Sequence, residues 1–193
     1  MAAASASCGN AVREGRSSAM LIIDRLAGVS GGGRGANTPS GTLYSDVIVL
    51  LTSPAPCTPT NRCPTVFADA GQVTLSLAMK DSTIAPTSNN QITINRYRVE
   101  YTRADGRNRP GVDVPYPLDA AVTGTVAGGV ATTLSFELVR HTAKEESPLV
   151  QLIQNPGIIS SIAHLTFYGR DAVGNDVSVS GSILIEFGDF GDQ

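Results

Sequence analysis

Two cysteines six positions apart carry the most readable chemistry in the chain. Cys57-Thr-Pro-Thr-Asn-Arg-Cys63 sets five residues between the thiols, among them Pro59 and Asn61. Turn-forming residues let so short a segment fold back on itself, and the spacing predicts a disulfide. Its loop closure contributes roughly 2–3 kcal/mol in the chain-entropy treatment, and it needs an oxidising compartment. A zinc site would need four ligands, and neither a histidine nor a third cysteine stands nearby. Two free thiols in a reducing compartment are the remaining alternative.

A second cluster is cationic. Arg96, Arg98, Arg103, Arg107 and Arg109 fall within fourteen residues, interleaved with Tyr97 and Tyr101. Basic side chains among aromatics suit anionic partners. Strand alternation, however, puts Arg96 and Arg98 on the face opposite Tyr97 and Tyr101, so the tyrosines are expected in the core. Glu100, Asp105 and Asp113 offset the charge. The preferred expectation is a solvated, salt-bridged face; an anionic-partner patch is the second.

The other candidates point to no reaction. His141 and His164 are the only histidines, and neither stands in a setting that pairs it with a carboxylate and a hydroxyl. Gly31-Gly-Gly-Arg-Gly35 follows a strand, as phosphate loops do. It lacks the Gly-Lys-Ser/Thr ending and a following helix, so it reads as a flexible loop. Asp105, Asp113, Asp119, Asp171 and Asp176 lie in or near turns, where aspartate is at home without calcium. Ser5-Ala-Ser-Cys8-Gly9 resembles a degraded lipobox, with Ser5 where leucine usually stands; it is read either as a lipid anchor at Cys8 or as a small-residue tail. No catalytic residue, no metal and no cofactor is expected.

The composition says what must position these residues. Hydrophobic residues make up 41% of 193, but aromatics only 5%, with no Trp, so the core is aliphatic. Charged residues are 16%, against about 25% in ordinary soluble domains, and the net charge of −3 disfavours a general nucleic-acid binder. No run of eighteen apolar residues predicts a transmembrane helix.

Alternation of period two predicts strands. Val177, Val179, Gly181, Ile183, Ile185 and Phe187 share one parity, with Leu184 the exception on the other. Ile162 to Gly169 precedes them across the turn cluster Arg170 to Asn175, which predicts a long hairpin. Further strands are expected at Ala19 to Leu26, Asp46 to Leu51, Val73 to Met79, Leu134 to Leu138 and, more weakly, Ala121 to Val126. Ile92 and Ile94 share a parity that Tyr97, Val99 and Tyr101 reverse, which predicts a β-bulge. Pro148 limits any helix over Ala143 to Gln154 to one turn. The expectation is an all-β antiparallel sandwich of about eight strands with long loops, residues 18–193, behind a flexible tail at 1–17 that reads as a possible signal-peptide remnant.

Ile94-Asn-Arg-Tyr-Arg-Val-Glu-Tyr101 resembles the central strand of fibronectin type III domains. Tyr168-Gly-Arg-Asp-Ala-Val-Gly-Asn175 resembles the last hairpin of bacterial immunoglobulin-like repeats, with Asp171, Gly174 and Asn175 matching its turn. The two stretches cover under a fifth of the chain, which lacks a core Trp and is about twice one repeat long. The resemblance implies an Ig-like or fibronectin III-like sandwich, and the whole chain is similar to bacterial secreted or lipoprotein-like proteins. A non-enzymatic binding or structural protein of the cell envelope follows as the expectation. Its partner would be an envelope protein or a surface polymer, with no nucleic acid, and with membrane contact only through an anchor at Cys8. The expected location is extracytoplasmic: periplasmic, outer-membrane-anchored or cell-surface. An accessory subunit of an envelope complex and a carbohydrate-binding module are the alternatives; the scarcity of aromatics weighs against the latter. The binding loops expected are Ser30 to Gly41, Ser53 to Pro64 and Asp105 to Pro117.

Overall fold

Alternating burial along each segment converts the sequence pattern into strands. The computed structural model describes residues 15–33 and 35–191, and in these residues the chain is all-β. Ten strands are present: β1 (Ala19–Val29), β2 (Thr42–Asp46), β3 (Val49–Leu51), β4 (Cys63–Thr65), β5 (Asp69–Met79), β6 (Ile92–Thr102), β7 (Leu118–Val126), β8 (Thr132–Val139), β9 (Ile159–Asp171) and β10 (Asp176–Gly188). One sheet has the order β1-β5-β8, a second β2-β10-β9-β6-β7, and β3 pairs with β4 alone. Neighbours run antiparallel except β2, which lies parallel to the end of β10.

The two larger sheets bury one shared core. Val73 and Leu75 of β5 and Leu134, Phe136 and Leu138 of β8 meet Ile94, Tyr97 and Val99 of β6, Leu165 and Phe167 of β9, and Ile183 and Ile185 of β10. Three rings bridge the layers: Phe136 lies 5.0 Å from Tyr97 and 5.2 Å from Phe167, between centroids. Such tilted and edge-on pairs are favourable geometries. Room for Phe136 comes from Gly71 across the sheet, where a Cβ would stand 2.3 Å from the ring.

The β9–β10 hairpin forms as the alternation requires. Val177, Ile183, Ile185 and Phe187 are buried, while Ser180 and Ser182 face out. Leu184, the residue out of pattern, is exposed and sits directly opposite the exposed Ile162. Asp171 shapes the turn: its Oδ1 accepts the N–H groups of Val173 and Asn175, and Gly174 takes φ 88°. The bulge in β6 falls between Ile94 and Arg96, where the register shifts against both β7 and β9. Ile92, Ile94, Tyr97, Val99 and Tyr101 consequently all point inward.

Three expectations are corrected. The strand expected over Asp46 to Leu51 is two strands in different sheets. Asp46 ends β2, its Oδ1 accepting the N–H of Ile48, and Val47 N–H leaves for Gly188 O; the chain turns away and restarts as β3. The segment around Pro148 holds two single helical turns, α1 (His141–Lys144) and α2 (Gln151–Gln154), one on each side of the proline. The Gly-rich stretch, expected as a flexible loop, is packed at Gly31 and Gly32. A Cβ on Gly31 would stand 2.0 Å from Ala68 O, and one on Gly32 2.6 Å from the Phe67 ring.

Candidate functional site

The bulge and the strand end of β6 distribute the five arginines into two groups. Arg96 and Arg98 stand on the outer face of β6. Arg96 lies 4.1 Å over the Tyr168 ring and 3.7 Å from Asp119. Arg98 contacts Glu100 and Asp119, each at 2.8 Å. These are exposed pairs on the outer sheet face, and pairs of this kind contribute little. The tyrosines interleaved with the arginines are core: Tyr97 donates to Glu137 O and Tyr101 to Leu138 O. Burial pushes the Tyr101 hydroxyl well above its ordinary value, so it remains a donor.

The second group sits in the long connection from β6 to β7. Arg103 and Arg107 share Asp105, at 2.7 and 2.6 Å, and Arg109 pairs with Asp113 at 3.0 Å. The backbone is drawn into the same lattice. Arg103 N–H donates to the Asn108 side chain, and Arg109 O accepts from Val112, Asp113 and Val114. Val114 is buried and anchors the loop. Gly106 and Gly111 take φ 79° and 74°, a region glycine enters without strain. Hydrogen bonds from Arg107 pull the Asp105 carboxyl down to about 2, and Arg109 likewise lowers Asp113. On the outside this loop shows Arg107, Arg109, Val112 and Tyr116, with Arg109 77% exposed and Tyr116 53%.

The remaining residues singled out in the sequence stay apart. Cys57 and Cys63 are joined, with sulfurs 2.11 Å and Cα atoms 5.4 Å apart, beside the small β3–β4 pair. His141 opens α1 and is exposed; His164 lies on the outer face of β9 and contacts the Thr102 hydroxyl at 2.8 Å. Asp176 pairs with Arg170 at 2.7 Å, and Asp171 is occupied by its turn. Cys8 lies outside the described residues.

A buried ionic cluster was not singled out from the sequence. Lys144, at the end of α1, is 1% exposed, and Asp69, at the start of β5, is 0% exposed; Nζ and Oδ2 are 2.8 Å apart. Asp69 Oδ2 also accepts the Ser45 hydroxyl at 2.6 Å, and Oδ1 accepts Gly31 N–H at 3.0 Å. Lys144 Nζ donates a further bond to Asp46 O at 2.8 Å. Four chain segments from both main sheets meet here, which explains the close packing of Gly31. Serine, lysine and aspartate together would suit nucleophilic chemistry, but Ser45 is 0% exposed and a solvent-borne substrate has no way to its oxygen. The signal in the sequence is slight: Lys144 is one of only two lysines.

No protein-family model matches the chain, and no curated protein and no solved structure shows significant similarity to it.

Proposed function

We propose that the chain is a non-enzymatic binding or structural domain of the bacterial cell envelope, an Ig-like or fibronectin III-like sandwich that meets its partner through the arginine loop after β6. The carrying observation is the loop itself. Asp105 and Asp113 hold Arg103, Arg107 and Arg109 in fixed geometry, and the loop still shows Arg107, Arg109, Val112 and Tyr116 to solvent. Arginine and tyrosine dominate the energetics of protein interfaces, and a loop already ordered loses little entropy on docking. The Cys57–Cys63 disulfide supports an oxidising, extracytoplasmic location. The lipobox-like stretch at Cys8 offers a means of attachment. The accessory-subunit reading needs an apolar docking face. Among the described residues, the large apolar side chains exposed on the outer faces of the two main sheets are Met20 with Ile22 on one and Ile162 with Leu184 on the other, and these two small pairs favour the loop.

A photo-crosslinking residue placed at Tyr116 and, separately, at Ser180 on the solvated face tests this in intact envelopes of the native host. A discrete adduct from position 116 and none from 180 is expected. Adducts from both positions alike, or none from 116 in protein recovered from the envelope, overturn the loop assignment. Recovery from the cytoplasm with both thiols alkylable without reductant overturns the location.

A further inference from the structure

The buried cluster is arranged for a reaction within the chain. We propose that Lys144 and Asp69 condense to an amide between Nζ and Cγ, a covalent cross-link from β5 to α1.

Four observations carry it. The two groups touch, at 2.8 Å, and both are sealed from water, so reactive atoms are held together in a medium that disfavours two separate charges. Proximity of this kind is worth a very large effective concentration, on the order of 10⁵–10⁸ M. The two carboxyl oxygens have different company: Oδ1 faces the Gly31 N–H, while Oδ2 faces the Ser45 hydroxyl and the lysine. Asp46 O accepts from Nζ and so fixes the direction of the amine.

The atoms balance without any co-reactant. The ammonium passes one proton to Oδ2, leaving a neutral amine and a neutral acid. The Nζ lone pair attacks Cγ, and the charge that develops on Oδ1 is met by the Gly31 N–H, a preorganised backbone donor. A second proton moves directly from Nζ to Oδ2, the oxygen it already faces. The Cγ–Oδ2 bond then breaks and one water leaves. Nothing is oxidised or reduced. The amide keeps one N–H, which continues to donate to Asp46 O. The glycine at 31 is required by this arrangement, because a side chain there would collide with Ala68 O and move the donor away from Oδ1.

Intact-mass measurement of the folded full chain, reduced and alkylated, tests the proposal. The expected mass is lower than that of the sequence by one water. Proteolysis should then yield a branched peptide joining the Asp69 segment to the Lys144 segment, whose fragment ions locate the bond. Lys144→Met should restore the full mass; should that variant fail to fold, the branched peptide from the unaltered chain decides alone. Wild-type protein that keeps its full mass after prolonged incubation in the folded state overturns the proposal. So does a water loss that survives in Lys144→Met or maps elsewhere, since that would mark a cyclised aspartate such as Asp105 before Gly106.

Discussion

Replacing Ile185 by Ala tests the assignment of β10 as a two-faced strand whose inner side belongs to the shared core. Ile185 is 0% exposed and lies between Ser161 of β9 and Leu43 of β2 in the sheet register. The substitution removes three carbons, worth about 2.4 kcal/mol at roughly 0.8 kcal/mol each. Neighbouring strands pin the backbone on both sides, so the cavity collapses little and a further cavity term adds to the loss, within the roughly 2–5 kcal/mol range of such truncations. The expected total is about 3–4 kcal/mol. With a urea slope of about 2–3 kcal/mol/M, the midpoint should fall by roughly 1–2 M. Ser180→Thr is the partner experiment. Ser180 is exposed and contacts the Thr166 hydroxyl at 2.9 Å, an interaction that threonine retains, so its change should stay within about 0.5 kcal/mol. Urea unfolding of the three proteins, followed by circular dichroism, decides. A loss under about 1 kcal/mol at Ile185 refutes the core placement. Equal losses at the two positions refute the two-faced strand and indicate a buried outer face.

Replacing Cys57 and Cys63 together by Ser removes a short loop closure and should cost about 2 kcal/mol by the chain-entropy relation; a midpoint in urea unchanged from wild type under oxidising conditions would show that the bond is absent in solution. The Asp105 clamp should persist from neutral pH to about pH 4 and open as pH falls toward about 2, because Arg107 depresses this carboxyl in the folded chain and the clamp is lost only as that lowered value is crossed. NMR titration of the Arg107 Nε–H should follow the same midpoint, and a midpoint at the ordinary aspartate value means the pair does not form. His141→Gln with His164→Gln should leave crosslinking from position 116 intact in folded protein; its loss there would return the histidines to the functional surface.

Period two is a local property, and it survived translation into structure wherever a strand has one wet face. β9 follows its alternation along its whole length and β5 and β10 over most of theirs, and the parity reversal in β6 marks a real bulge because one extra residue, Asn95, is all that such a reversal needs. The local arginine pairs were legible for the same reason: Glu100, Asp105 and Asp113 lie within four residues of their partners, whereas Asp119, one strand away from Arg96 and Arg98, was not. Asp46 to Leu51 misled because a continuous apolar run records burial but not direction. Val47 and Val49 are both buried, yet one ends the run along β10 and the other begins a separate sheet. Gly31 illustrates the harder limit. A run of glycines has the same composition whether the backbone is loose or must approach another chain segment closely, and here the decisive neighbour, Ala68, is distant in sequence. Lys144 and Asp69 are further apart still. No spacing rule brings them together, because their contact exists only once β2, β5, α1 and the glycine loop have converged. A cluster buried at that convergence is set by the topology of the whole chain, and the fold must be built before its chemistry can be read.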